Sequence, residues 1–331
     1  MDVGSVMSFI AIDIGGSSIK SCRVEQNGGR FRLASQVCTT PLKLNEFSEI
    51  KDVVLGICRK ELKDGADSVI GISTCGSVDN AGVVINDDHF KNYCNISWSD
   101  LLVREFGDVR VCTVNDGRAS AWGEYSVAAT KVVTHVHVVV GTGIGGGVIH
   151  NGELLSGDSG QAGYIGHIKV APLETPICGC GKMGCVESLA SARGIVAMYV
   201  NYSGSDRRLP VDVDFGNLLC RFKEDRQNIV DALKKSGYWL GVALGNVMNV
   251  LNPQLVTIGG GVVVATNNVV KDNSLGENPY FMGVNEGIHY AAYHRVETTG
   301  VVKVGVLGNT AGLLGVASLA FSKVCRPNLK E

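Results

Sequence analysis

The stretch from His167 to Glu187, HIKVAPLETPICGCGKMGCVE, constrains this chain most, because three cysteines and a histidine fall at a spacing that can close around one metal ion. A tetrahedral zinc site takes three thiolates and one imidazole, and Cys178, Cys180, Cys185 and His167 supply that set. Gly179, Gly181 and Gly184 let the segment fold back so that its sulfurs converge. Three ordinary thiols in a flexible loop are the plain alternative, but free cysteines are usually buried singly and not clustered in a glycine-rich turn. Four protein ligands close a site, so such a zinc is structural and not the Lewis acid of a reaction.

At 331 residues the chain is roughly twice a typical single domain, so two domains with a cleft between them are expected. Hydrophobic residues make up 45% and charged residues 19%, enough apolar material for a sizeable core. A formal net charge of -2 without a long Lys/Arg run argues against a nucleic-acid partner held by charge. The other eight of the eleven cysteines, Cys22, Cys58 and Cys112 among them, lie singly in apolar or strand-like contexts, which fits reduced thiols in a cytoplasmic protein. The N-terminus carries Asp2 where a signal peptide needs positive charge, and Asp13 ends its apolar run, so neither a targeting nor a membrane-spanning segment is expected.

In the first half, residues 8–14 read as a strand that breaks at Gly15-Gly16, and a second strand begins at Ile19 after Ser17-Ser18. A carboxylate followed by two glycines and two hydroxyls makes a turn whose backbone can approach phosphate, with Asp13 placed to hold a water on Mg²⁺. Any hairpin can also turn through GGSS. A third strand is expected around 31–37, closing an antiparallel meander, and an amphipathic helix over 46–63. The strand at 69–73 runs into Thr74-Cys75-Gly76-Ser77, a loop at the sheet's edge, where open α/β sheets place ligands. Asn92, Asn95 and Trp98 stand in a polar stretch that either lines the same cleft or is simply solvated. The strand at 109–114 leads at once into Asn115-Asp116-Gly117 and a helical run. Asp116 is there either a helix cap or a general base whose substrate hydroxyl Asn115 orients.

In the second half, His135 and His137 alternate with valines in a strand and are read as ordinary strand positions. Five glycines in 141–147, with Thr142, make a second backbone-lined loop suited to phosphate, or else a tight hairpin. Helices are expected over 186–200 and 228–252, the second stopped by Pro253, and a strand over 255–258 runs into Gly259-Gly260-Gly261, a third turn of this kind. Segment 266–296 shows weak periodicity and receives no secondary structure. A strand at 301–306 and a C-terminal helix end the chain. The expected domains are 1–117 and 118–310, with the helix at 311–324 packing back on the first.

These strings together resemble the ROK family of sugar kinases and sugar-responsive repressors, within the actin-like ATPase fold. The resemblance is carried by DIGGSSIK at 13–20, VNDGRASAWGEY at 114–125, GTGIGGG at 141–147, GQAGYIGH at 160–167, CGCGKMGCVES at 178–188, IGGGV at 258–262 and GNTAG at 308–312. It implies a two-lobed α/β fold of the ribonuclease H-like kind, with the active site in the interdomain cleft. The activity implied is an ATP- and Mg²⁺-dependent kinase for the primary hydroxyl of a hexose, an amino sugar or a sugar-like cyclitol, with a homodimeric assembly. Asp116 is then the catalytic base, with Asn115, His167, Glu187, Gly76, Asn95 and Tyr164 as sugar ligands. Asp13, Gly15, Gly16, Ser17, Thr142, Gly143 and Gly260 would face the nucleotide, and zinc held by His167, Cys178, Cys180 and Cys185 would aim the second nitrogen of His167 at the sugar.

One position departs from the family pattern. Where most of its kinases read GEIGH, this chain reads Gly163-Tyr164-Ile165-Gly166-His167, so a phenol stands for a carboxylate and the preferred substrate is expected to differ from glucose. Family repressors carry a helix-turn-helix before the first glycine turn. Only twelve residues precede Asp13 here, so a kinase is expected over the alternatives, a sugar-responsive regulator or a non-catalytic sugar-binding protein.

Overall fold

The computed structural model describes residues 7–62, 68–87, 90–128, 131–171, 175–203, 214–272, 277–293 and 301–325. The chain divides into two compact units: 1–131 with 147–163 and 310–331, and 132–146 with 164–309. The first therefore reaches past the expected boundary at 117.

The first unit opens with the hairpin β1 (Met7–Ile14) and β2 (Ser18–Asn27), paired antiparallel from Met7↔Gln26 to Ile14↔Ile19. Instead of one strand at 31–37, two short ones, β3 (Arg30–Leu33) and β4 (Cys38–Pro41), each pair with β2, β3 at its far end and β4 beside the turn. Helix α1 (Phe47–Glu61) follows, then β5 (Ser68–Thr74), β6 (Ser77–Val78), β7 (Val83–Asn86), β8 (Ile96–Ser97), α2 (Trp98–Phe106), β9 (Val109–Asn115) and α3 (Asp116–Val127). The main sheet runs β3-β2-β1-β5-β9, with β1, β5 and β9 mutually parallel. Its central strands are buried on both faces, which is why SFIAIDI and SVIGIST read as nearly continuous apolar runs. Ile10, Ile12 and Ile14 share a core cluster with Ile50, Val54 and Cys58 of α1, spaced four apart on one helical stripe.

The C-terminal helix (Ala311–Ala320) is buried along its whole length. A side chain added at Gly123 of α3 would strike the Ala311 carbonyl, and one at Gly315 the Ala119 carbonyl, so the two backbones touch through their glycines. This contact, made across nearly two hundred residues, is what draws α3 into the first unit.

The second unit contains the parallel strands β10 (Thr134–Val140), β13 (Leu255–Gly259) and β14 (Val302–Val304). Strand β11 (Ile144–His150) leaves the 141–143 turn, and from Gly147 it belongs to the first unit, where it pairs antiparallel with β12 (Glu153–Leu154). The helix expected over 186–200 is two, α4 (Glu187–Ala190) and α5 (Ala192–Ser203), separated by extended Ser191. Helix α6 (Phe215–Cys220) precedes α7 (Arg226–Leu251), which ends on Asn252 in the left-handed region with φ of 42°.

Segment 266–296, given no structure above, holds most of α8 (Gly261–Asp272) and all of α9 (Pro279–Ala291); its residues 273–276 and 294–296 lie outside the described residues. For α9 the physical reason lies in the glycines of its contact with α7. Gly237, Gly241 and Gly245 on α7 and Gly283 and Gly287 on α9 recur four apart, and a side chain at any of them would meet the facing helix. Ridges spaced four apart interlock at close range. Glycine at those positions dilutes the apolar stripe by which a helix is read, and it disfavours the isolated helix by about 1 kcal/mol each.

Candidate functional site

Register gathers the first group of residues. Asp13 pairs with Ser73, and Ser73 with Val114; one step on, Ile14 pairs with Thr74, and Thr74 with Asn115. The carboxyl ends of β1, β5 and β9 thus present Asp13, the loop at Gly76, and Asn115-Asp116 in one row. Neighbouring strands stand about 4.8 Å apart, so Asp13 and Asn115 lie roughly 10 Å apart across the row. Parallel sheets bind ligands at this edge because successive strand-to-helix loops converge there.

Asn115 is 7% exposed and hydrogen-bonded at both ends of its amide, with one lone pair of its oxygen left over. Its amide nitrogen donates to the Gly76 carbonyl at 2.9 Å and to Asp116 Oδ1 at 3.0 Å, and its oxygen accepts from the Arg118 N–H at 3.3 Å. Asn115 is therefore the cap of α3, and Asp116 is the first residue of that helix, its Oδ1 accepting from the Gly117 N–H at 2.7 Å. Gly76 has φ of 81°, and a side chain there would run into the Asn86 carbonyl and Asp87, so this position admits only glycine without a shift. The buried thiol of Cys75 is pushed well up by burial and then by the carboxylates of Asp87 and Asp116, which leaves it protonated and inert.

Asp13 accepts from Ser73 Oγ at 2.7 Å and faces Lys20 Nζ at 4.0 Å. Burial raises its pKa, against the hydrogen bond from Ser73 and the charge of Lys20. Gly312 comes against it from the C-terminal helix; a side chain there would lie 3.2 Å from Oδ1. Gly15, Gly16 and Ser17 form the tight turn closed by Gly15 N–H to the Ser18 carbonyl at 3.0 Å. Asn95, by contrast, is exposed in a left-handed turn with φ of 57° and takes no part in this network. Trp98, read above as a possible cleft residue, is wholly buried and donates to the Tyr93 hydroxyl at 2.8 Å. Ser73 and Lys20 were not singled out from sequence; pairing a serine at a strand end with the aspartate beside it requires the register.

The second group lies in the second unit. His167 closes a short 3-10 turn, Ile165–His167, clamped to β11 by Gly166, whose added side chain would strike Ile144. Glu187 opens α4, and its Oε2 accepts from the Ile144 N–H at 2.8 Å. Gly143 backs directly onto that carboxylate: a side chain there would come 2.6 Å from Oε2. The turn carrying Thr142 and Gly143 is thus in contact with Glu187. Gly260, with φ of 98°, lies between β13 and α8, where a side chain would strike the Val140 backbone. The Tyr164 ring stacks on the His167 imidazole, 6.2 Å between centroids and 14° between planes. His135 and His137 are core residues, as read from alternation, and both reach the Thr257 hydroxyl, at 2.7 and 2.8 Å.

The ligand atoms of His167, Cys178, Cys180 and Cys185 all lie within 4.8 Å of one another. Zinc bonds of ~2.3 Å to sulfur and ~2.05 Å to nitrogen put tetrahedral edges at about 3.8 Å between sulfurs and about 3.6 Å between sulfur and nitrogen. Cys180 Sγ and Cys185 Sγ are 3.7 Å apart, and Cys178 Sγ and His167 Nδ1 are 3.7 Å apart. These edges fit zinc and are far too long for a disulfide. Glu187 Oε1 accepts from Cys178 Sγ at 3.2 Å, and burial, reinforced by that carboxylate, pushes the thiol up; a metal bound here would override this by taking the thiolate. Cys180 sits below its usual range although burial opposes this, because the Lys182 backbone, the neighbouring thiols and the Lys169 charge favour its thiolate. Residues 172–174 of this stretch lie outside the described residues.

Comparison with known proteins agrees with this architecture. A model of the ROK family matches residues 9–323, and the chain belongs to that family. It is 30% identical over 318 residues to an N-acetylmannosamine kinase of Citrobacter koseri, covering 95% of this chain and 99% of that one. It is 27% identical to a glucokinase of Halalkalibacterium halodurans, covering 93% of each. Among solved structures, a ROK family glucokinase from Streptomyces griseus in complex with glucose and AMPPNP superposes with a TM-score of 0.77 at 25% identity, over 95% of this chain and 99% of that one. The fold is accordingly the α/β actin-like ATPase fold. Among the described residues no helix is long and apolar enough to cross a membrane.

Proposed function

We propose that this protein is an ATP-dependent kinase acting on the primary hydroxyl of a hexose or hexose-like ring, with amino sugars and sugar-like cyclitols in its range. The observation that carries the reading is the row of Asp13, Gly76, Asn115 and Asp116 on adjacent parallel strand ends in a ROK family chain. Asp116 accepts the proton of the acceptor hydroxyl as that oxygen bonds the terminal phosphorus, and the bond to the ADP leaving group breaks. Asn115 orients the hydroxyl. Its amide is already fixed by the Gly76 carbonyl and the Arg118 N–H, so little reorganisation attends binding.

Asp13 is assigned to Mg²⁺: a carboxylate with the Ser73 hydroxyl behind it is the hard oxygen set that ion takes. When bound, Mg²⁺ neutralises charge on the phosphates. Gly15, Gly16, Ser17, Thr142, Gly143 and Gly260 are assigned to the nucleotide, because turns with glycine allow backbone N–H groups near phosphate. Glu187, Tyr164 and His167 are assigned to the sugar. Zinc held by Cys178, Cys180, Cys185 and Nδ1 of His167 would leave the His167 proton on Nε2, free to donate to the sugar, and so would fix its tautomer and aim.

Coupled detection of ADP release across hexoses, amino sugars and cyclitols tests the proposal. Turnover with one of these classes is expected. Binding of a sugar without ADP release would overturn it and identify a sugar-responsive binding protein.

A further inference from the structure

We propose that Lys169 is a positioning and charge-balancing residue of the cysteine-histidine centre, holding the Cys185 sulfur by an N–H···S bond. The proposal rests on reading that centre as a zinc site.

Three observations converge on this lysine. The first is register. Residues 168–170 run antiparallel to 184–186, with Val170 N–H to the Gly184 carbonyl at 2.9 Å and Val186 N–H to the Ile168 carbonyl at 3.0 Å. Lys169 and Cys185 form the bridge between them, so the two side chains stand directly opposite on one face. The second is contact. Lys169 Nζ donates to Cys185 Sγ at 2.9 Å and to the Met183 carbonyl at 2.5 Å, which anchors the flexible stem at its tip. The third is space. A side chain added at Gly184 would strike the Ala171 carbonyl at 2.8 Å but only touch Lys169 Cδ, at 3.5 Å, so the lysine stem runs past this glycine toward the sulfur in ordinary contact.

Charge supplies the reason for a cation at this place. Three thiolates and a neutral imidazole around Zn²⁺ leave the centre one negative charge in excess. The Glu187 carboxylate, 3.2 Å from Cys178 Sγ, adds another on a second ligand. Lys169 offsets the excess on Cys185. An ammonium donor also draws electron density from the bound sulfur, which opposes its protonation and loss as a ligand. Because Lys169 remains exposed, its ammonium keeps water on its outer side and bears little desolvation. The consequence reaches the sugar residues, since His167 and Glu187 are held by the same loop.

Zinc affinity measured by titrating zinc-loaded protein with a competing chromophoric chelator tests this on wild type, Lys169→Met and Lys169→Arg. Lys169→Met is expected to bind zinc about 10- to 100-fold more weakly. Lys169→Arg, which keeps the charge and the donor, is expected to stay within about threefold of wild type. The metal-free forms of all three should melt within about 2 °C of one another, because the contribution of an exposed lysine here acts through the metal. Equal affinity of Lys169→Met and wild type overturns the proposal, as does an equal loss in Lys169→Arg. Wild-type protein without stoichiometric zinc would overturn the zinc reading itself, and this inference with it.

Discussion

Replacing Asp116 by asparagine separates the chemistry of this carboxylate from its place in the fold. Asp116 Oδ1 accepts from the Gly117 N–H at 2.7 Å and from Asn115 Nδ2 at 3.0 Å, and asparagine retains an oxygen at that position. The cap of α3 is Asn115, so the helix start survives the change. What is weakened is the charge assistance of two hydrogen bonds, at most about 1 kcal/mol in all, or a melting shift of about 2–4 °C. Proton acceptance, in contrast, is lost outright. General-base catalysis contributes about 10²–10⁴-fold, so turnover at saturating ATP and sugar should fall by that factor, which is roughly 2.7–5.4 kcal/mol in the barrier. The KM for the sugar should change little, because the Asn115 amide keeps its partners. The assay is steady-state ADP release, paired with a thermal melt on the same preparation. Turnover within tenfold of wild type, with an intact melt, would refute the assignment of the base. A collapsed melt would instead show that the carboxylate is needed for folding.

Three further perturbations test separate parts of the molecule. Burial raises the folded-state pKa of Asp13, so its favourable contribution is complete below the unfolded value near 3.8 and is lost as pH rises through the folded value. At neutral pH the ionised carboxylate therefore costs stability, and Asp13→Asn should raise the melting temperature of ligand-free protein while weakening ATP binding; a lower melting temperature would show that the Lys20 contact outweighs burial. His137 is driven down to about 3 by burial and by the neighbouring His135 charge, so it stays neutral in the fold while the unfolded chain takes a proton below about 6.5. Stability should fall as pH drops below that value, by about 2 kcal/mol at pH 5 from this residue, and denaturant midpoints of wild type and His137→Gln at pH 7 and pH 5 should diverge accordingly; parallel pH dependence would refute it. Tyr164→Glu restores a carboxylate beside His167 and should move preference toward glucose-like hydroxyl patterns by about 5- to 150-fold in relative efficiency, whereas an unchanged substrate ranking would confine Tyr164 to its stacking role.

Much of both residue groups was legible in the sequence, because their signals are local. A buried strand that ends in Asp13 and two glycines, or in Asn115-Asp116 and a helical run, announces a strand-end loop whatever lies beside it. The cysteine spacing likewise converges within a few residues, and the single sulfur–sulfur edge of 3.7 Å follows from a turn the glycines permit. Tertiary structure decided the rest. That Ser73 serves Asp13, that one threonine hydroxyl serves both His135 and His137, and that Lys169 meets Cys185 depend on which strands pair and in what register. Helix α9 was unreadable because the glycines that seat it on α7 interrupt its apolar stripe, and α8 because its valines, threonine and asparagines are weak helix formers. The C-terminal helix returns to the first unit where its backbone meets α3 at Gly123 and Gly315, and 147–163 returns where Gly147 meets Ala121 and Arg118 of α3. Local periodicity records which side of an element avoids water, but which partner covers that side is set by shape and close approach between residues far apart in the chain.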